Sequence, residues 1–282
     1  MVYYTYHRME EIKKKKRKKI GLALSGGGWR GLTHVGVLKI LEENNIPIDF
    51  IAGTSAGALI GGLYCYFGNS KDLEKFILDF GYRDLFKIIS DPRLKSGLLK
   101  GKKFQNYLNK VTKNSDVEDL KIPFCAVATD ILSGNPYYIK KGDLAKAIKA
   151  SVSIPLLFTP SKTDGKVLID GGAIENVPVR CVKEMGADFV IAVSVNTAYF
   201  PVKEGDVNSS AKIAVVSTRA MLKQMSEMLA SEADIIIEPK ISKKKVEMGV
   251  SYFLEFVREK DIIKIGERTT QDKLKDIIKK IK

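Results

Sequence analysis

The sequence is short of the residues that most often announce chemistry. It has two histidines, His7 and His34, in 282 residues. Both precede the serine motif described below, so a hydrolase triad in the chain order serine, acid, histidine has no histidine to use. The three cysteines, Cys65, Cys125 and Cys181, are spread along the chain. Without a CxxC pair or a Cys/His cluster they predict neither a zinc site nor a disulfide framework, but free buried thiols. Acidic residues are in deficit, 33 against 47 lysines and arginines, a formal charge of +14. Long apolar runs are also scarce. The one candidate span, Phe50 to Phe67, carries no charge, but it opens on Gly53-Thr54-Ser55-Ala56-Gly57, a turn composition that would interrupt a membrane helix.

Part of the positive excess lies in a single run, Lys13, Lys14, Lys15, Lys16, Arg17, Lys18 and Lys19. Residues 1–19 therefore read as a basic leader, solvated first of all, with peripheral contact to an anionic membrane as its functional alternative. Too few aromatics accompany it for a nucleic-acid platform, and no nucleic acid is expected. The apolar stretch that follows, Ile20–Ser25, is too short and too glycine-bounded for a secretory core. A cytoplasmic protein, with possible visits to the inner membrane face, is the resulting expectation.

From Ile20 onward apolar runs alternate with helical patterns. Strands are expected at Ile20–Leu24, Ile48–Ala52, Pro123–Ala128, Tyr137–Ile139, Val167–Ile169, Phe189–Val195 and Ile235–Ile237. Helices are expected near Leu32–Glu43, Ala56–Phe67, Lys103–Val111, Asp143–Ser151, Val179–Met185 and Ser210–Ala230. Continuous apolar strands between helices imply an α/β fold in which a mostly parallel sheet is covered on both faces. Gly81–Lys102 and Tyr199–Ser210 read as long loops able to line a site. Leu274, Ile277, Ile278 and Ile281 recur at helical spacing, the signature of a docking helix, with a membrane-surface helix as the second reading.

Two glycine-rich turns carry the chemistry. Gly53-Thr54-Ser55-Ala56-Gly57 fits G-x-S-x-G between an expected strand and an expected helix. A nucleophile elbow needs small flanking residues there, because the chain turns so sharply that neighbouring Cβ atoms would clash. Gly26-Gly27-Gly28-Trp29-Arg30-Gly31 occupies the same kind of junction, where successive backbone N–H groups can converge on an anion. It also matches G-x-G-x-x-G, but a dinucleotide site needs an acidic residue at the end of the second strand, which the serine turn occupies. A Walker loop is excluded by the missing Gly-Lys-Ser/Thr. With His7 in the leader and His34 expected to pack or hydrogen-bond within a helix, the remaining candidates for a base are carboxylates. Asp170-Gly171-Gly172 follows a short strand, a combination that alone is usually just a turn.

Together these blocks resemble the patatin-like phospholipases, which carry a glycine-rich GGGxRG block, a G-x-S-x-G elbow and a downstream D-G-G in this order. Ala150–Pro160, Asn176-Val177-Pro178 and Ser96-Gly97-Leu98-Leu99 add to the likeness, which covers about Ile20 to Asn196. The resemblance implies a three-layer α/β/α fold over residues 20–282 and a lipid acyl hydrolase of phospholipase A, lysophospholipase or esterase type. It further implies Ser55 as nucleophile and Asp170 as general base. Gly26, Gly27, Gly28 and Arg30 would form the oxyanion hole, Gly53 and Gly57 the elbow, with Gly31, Gly171 and Gly172 as motif support. No metal or other cofactor is implied, and a lipid ester is the expected substrate. A catalytically weak lipid-binding or regulatory member is the alternative on the same residues.

Overall fold

Strands in which every residue is buried set the centre of the fold. In the computed structural model, which describes residues 17–92, 99–195, 207–241 and 250–281, Ile20–Leu24 forms the fully buried strand β1. A 3₁₀ turn over Gly28–Leu32 leads into helix α1 (Thr33–Glu43). Strand β2 (Phe50–Thr54) passes directly into α2 (Ala56–Phe67). Three helices follow, α3 (Ser70–Asp79), α4 (Tyr82–Ile89) and α5 (Lys102–Val111). The chain re-enters the sheet as β3 (Phe124–Asp130) and β4 (Asn135–Ile139), then runs through α6 (Leu144–Ser151) to β5 (Ser161–Thr163) and β6 (Lys166–Asp170). After these come α7 (Val179–Glu184), β7 (Phe189–Val193), α8 (Ser210–Ser231), β8 (Ile235–Ile237), α9 (Val250–Arg258) and α10 (Ile263–Ile281).

The strands join in one sheet of order β5-β6-β3-β2-β1-β7-β8, with β4 also paired to β3. The five strands from β3 to β8 along this order are parallel, as their apolar runs imply. The β4, β5 and β6 end is antiparallel, so the sheet is mixed. The reason is local. Asp164 and Gly165 both take positive φ, 47° and 75°, which makes the two-residue turn that closes a hairpin between β5 and β6.

Alternation along each strand separates two cores. Leu22, Leu24 and Ile51 face the larger cluster, with side chains of α1, α2 and α10. Ala23 and Ala52 face a smaller one, with Val179, Cys181 and Val182 of α7 and Leu229 and Ala230 of α8. The sheet is thus covered on both faces, as expected. Cys125 and Cys181, distant in sequence, meet in the second cluster with their sulfurs 3.0 Å apart, and all three cysteines are buried free thiols.

The chain's end docks. A Cβ on Gly36 would overlap the Ile263 carbonyl oxygen, and one on Gly266 the Thr33 carbonyl oxygen, so α1 and α10 touch backbone to backbone. Leu274 and Ile277 are buried in that contact, with Ile278 and Ile281 packed at its margin. Each such side chain withdrawn from water contributes about 1.5–3 kcal/mol. The expected loop Gly81–Lys102 instead contains α4, whose Leu85 and Ile88 point inward. Gly81 there is a helix N-cap, not the start of an irregular segment. Of the rest of that expected loop, Pro92 pairs with Leu99 in an isolated bridge and Lys102 opens α5, while residues 93–98 lie outside the described residues, as do residues 199–206 of the other expected loop and residues 13–16 of the leader. Among the described residues no helix is long and apolar enough to cross a membrane.

Candidate active site

Strand register brings the serine and the aspartate together. One edge of β3 is taken by β4 from Ala126 to Asp130. The other edge pairs with β2 as far as Val127 and with β6 from Ala128 onward. β2 and β6 therefore run towards each other and end nose to nose, Thr54 opposite Val127 and Asp170 opposite Ala128. Ser55 is the next residue after Thr54. The approach is close enough that a Cβ on Gly171 would overlap the Val127 carbonyl oxygen.

Ser55 sits in a strained turn. Its φ of 52° and ψ of −117° lie outside the regions that side chains favour, a conformation that costs on the order of 1–3 kcal/mol and persists only where surroundings impose it. The surroundings are identifiable. Ser55 N–H donates to Ser151 Oγ at 2.8 Å, and that hydroxyl donates to the Val127 carbonyl at 2.6 Å. Thr54 Oγ1 donates to the Glu175 carbonyl at 2.7 Å. Cβ atoms on Gly53 or Gly57 would collide with backbone, the first with Gly57 and the second with Leu24. Ser55 is 6% exposed, at the N-terminus of α2, where the helix dipole favours negative charge.

Asp170 is equally enclosed, 7% exposed. Its Oδ1 accepts the Gly172 N–H at 2.7 Å, and Oδ2 is buried with no aligned hydrogen-bond partner. Burial pushes the carboxyl up to about 6, while the Ser55 hydroxyl facing it and the Gly172 amide pull it back. No aligned hydrogen bond joins serine to aspartate, a spacing common for catalytic pairs in ligand-free structures. His34 does not belong to this pair. It is fully buried, bonded through Nε2 to the Ser25 carbonyl at 2.9 Å, and burial lowers its pKa to about 4, which leaves it neutral.

The glycine block lies against the same pair. A Cβ on Gly26 would meet Asn176 Oδ1 at 2.6 Å and Ser55 Cβ at 3.2 Å. One expectation fails here. Gly26 N–H donates to the Asn176 carbonyl at 3.0 Å, so it is spent on structure and cannot also hold an oxyanion. Gly27 and Gly28 stand at the start of the 3₁₀ turn, where N–H groups lack a partner within the helix. Gly31 packs against Ala56, and Arg30 lies over the Trp29 ring, 5.0 Å from its centroid. Asn176 is the unforeseen organiser. Its Oδ1 lies beside both Gly26 and Gly172, and its Nδ2 donates to Ser226 Oγ of α8 at 2.9 Å.

Beside Ser55 opens a pocket of about 900 Å³, counted out to its mouth. Ala56, Leu59, Ile60 and Leu63 line it along one face of α2, opposite Phe76, Ile77, Leu85, Ile88, Phe104, Leu108 and Phe253. Among the described residues that line it, only Ser55 and Tyr107 have side chains with polar atoms. The arrangement offers a hydroxyl nucleophile, a poised carboxylate and free backbone amides at the edge of an apolar cavity. Sequence reasoning missed the contributions of α4 and α9 to the wall, and the grip of Ser151 on the turn. Ser151 and Asn176 stood within recognised blocks, but no spacing assigned them partners.

The family model described as patatin-like phospholipase matches residues 22–182. The chain is 32% identical over 195 residues to an NTE family protein of Mycobacterium tuberculosis, covering 69% of this chain and 54% of that protein. It is 34% identical over 192 residues to a lysophospholipase of Aspergillus fumigatus, covering 63% of this chain and 12% of that protein. The chain thus spans about half the length of the mycobacterial relatives it matches. VipD from Legionella pneumophila shares the fold, with a TM-score of 0.58 at 15% identity over 91% of this chain and 67% of that one.

Proposed function

The chain belongs to the patatin-like phospholipase family, and from that premise we propose that it hydrolyses carboxylic esters of lipids through Ser55 and Asp170. The observation that carries this reading is the strained Ser55 turned towards a buried Asp170 whose pKa is raised to about 6, beside an apolar pocket. A carboxylate with an ordinary pKa near 3.9 is a poor base at neutral pH. One raised to about 6 remains mostly ionised at pH 7 and holds a proton more firmly.

Asp170 takes the hydroxyl proton as Ser55 Oγ attacks the ester carbonyl. The amides of Gly27 and Gly28 receive the oxyanion, with Arg30 adding positive potential. A preorganised donor of this kind is typically worth about 2.7–4 kcal/mol. The tetrahedral centre collapses, the C–O bond to the leaving alcohol breaks, and Asp170 returns its proton to that oxygen. Water then attacks the acyl-enzyme with Asp170 again as base, releasing the fatty acid and restoring the Ser55 hydroxyl. The pocket walls suit the acyl chain, and the curated lysophospholipase relatives support a lysophospholipid as one substrate.

The test compares wild type with Ser55→Ala on a short-chain p-nitrophenyl ester and on a lysophospholipid. Turnover by wild type and its loss in the variant support the proposal. Equal rates in the two proteins would remove Ser55 from the chemistry.

A further inference from the structure

The helix that walls the pocket also turns an apolar face outward. Leu85 and Ile88 of α4 line the cavity, whereas Phe86 is 71% exposed and Tyr82, one turn earlier, is exposed as well. Arg83 and Lys87 are exposed beside them, each pair stacked at the i, i+4 spacing. Leu78 of α3 and Leu156, between the pocket residues Ile154 and Phe158, add two more exposed apolar side chains. Leu156 is the most telling. Its φ is +72°, a conformation in which glycine or asparagine is at ease and a bulky side chain is strained. At 67% exposure the side chain gains little from core burial to offset that strain.

We propose that Leu78, Tyr82, Phe86 and Leu156, with Arg83 and Lys87, form the seat on which the protein docks to an anionic lipid surface, its pocket opening towards the bilayer. The proposal rests on the acyl-hydrolase reading above. Aromatic and leucine side chains interleaved with cations match a membrane interface, the apolar groups entering the acyl boundary while the cations meet headgroups. The excess positive charge of the chain complements such a surface. Position argues the same way, because the patch lies on the segments that wall the pocket, and lipid drawn from the bilayer there stays out of water. The described end of the basic leader is placed elsewhere. Arg17 is held by both oxygens of Asp49, and Lys18 by the Lys280 carbonyl. These contacts lie at the N-terminal ends of β1 and β2, whereas Ser55 follows the C-terminal end of β2.

Binding is measured by cosedimentation of the full chain carrying Ser55→Ala, so that lipid is not consumed. One set of vesicles is equal parts phosphatidylcholine and phosphatidylglycerol, the other phosphatidylcholine alone. Binding should favour the anionic vesicles, weaken about tenfold or more on adding Phe86→Glu with Leu156→Glu, and tighten with Phe86→Trp. In protein with Ser55 intact, the same double substitution should leave hydrolysis of a soluble short-chain ester near wild type and depress hydrolysis of vesicle-borne lipid. That soluble-ester rate also reports that the variant is folded. Undiminished vesicle binding by the double variant overturns the proposal even if ester hydrolysis is intact. So does a wild-type dimer that ignores vesicles and dissociates on Phe86→Glu, which would assign the face to a second copy. Absence of any ester hydrolysis by wild type would sink the hydrolase reading instead, and the binding arm would still decide the docking surface.

Discussion

Ser151 accepts the backbone proton of Ser55 at 2.8 Å and donates its own to the Val127 carbonyl at 2.6 Å. One buried hydroxyl thereby pins the strained serine turn to the strand on which β2 and β6 converge. Ser151→Ala leaves the Ser55 N–H buried without an acceptor, which costs about 1–3 kcal/mol, and lets the turn relax from its imposed conformation. The expected result is a lower urea midpoint together with a fall in kcat that exceeds any change in KM. Wild-type values of both would show that the flanking glycines hold the turn unaided.

Burial sets Asp170 apart from an ordinary carboxyl and gives it a pH signature. Raised to about 6, it predicts that kcat/KM climbs through a single ionisation near pH 6 and levels off above. Stability should move the other way. The folded carboxyl binds its proton more tightly than the unfolded one, whose pKa is about 3.9. The stabilising contribution is therefore fully present below about pH 4 and lost as pH rises through about 6. Asp170→Asn carries no charge at any pH and retains an acceptor for Gly172. It should be inactive yet melt higher than wild type at pH 8, by roughly 2–3 kcal/mol at most. The gap should close towards pH 4. Melting curves of the two proteins from pH 4 to 8 check the sign, and a gap independent of pH would remove Asp170 as the titrating group.

Glycines in this chain differ in what they spare. A Cβ on Gly57 would lie on the Leu24 carbonyl and within 2.8 Å of the Ser25 carbonyl oxygen, with no flexible side chain to give way. Gly57→Ala should thus cost more than about 4 kcal/mol, the range reserved for core disruption, and leave little folded protein. Gly134 has nothing within 4 Å of the same probe atom but a φ of +72°. Gly134→Ala should lower stability by about 1–2 kcal/mol, the cost of a left-handed side chain, without loss of activity. Expression yield and thermal melting of the two variants separate the cases.

Much of the site could be read before the fold was known, because its residues answer to local rules. The serine turn is announced by Gly53 and Gly57, whose missing side chains are needed by neighbours only a few residues or one strand away. Burial on both faces of β1, β2 and β7 follows from uninterrupted apolar runs, and these three lie at the middle of the parallel part of the sheet. The sequence was less informative where partners are remote. That β6 is antiparallel depends on the Asp164-Gly165 hairpin and on free positions along β3 beyond the end of β2. The diversion of the Gly26 amide to Asn176 joins residues 150 positions apart, which no motif spacing encodes. Helix α4 was hidden by its length, since eight residues make little more than two turns and its inward Leu85 and Ile88 repeat only once at helical spacing, too short a window for a periodic signal.

The pocket's course along α2 makes chain length testable. Ala56, Leu59, Ile60 and Leu63 follow Ser55 on one helix face, and at 1.5 Å per residue Leu63 stands about 12 Å beyond the serine. A short acyl group attached at Ser55 would not reach it, whereas a long one would lie against it. Leu63→Trp fills this distant part of the cavity, at an overpacking cost of about 1–3 kcal/mol that a melting curve will register. If the cavity holds the acyl chain, kcat/KM for a short-chain p-nitrophenyl ester should stay near wild type. The value for a long-chain ester should fall by about tenfold or more, since each buried methylene displaced is worth about 0.8 kcal/mol. An equal loss at every chain length would mean that the tryptophan disturbs the turn at Ser55 itself, and that acyl chains take another path.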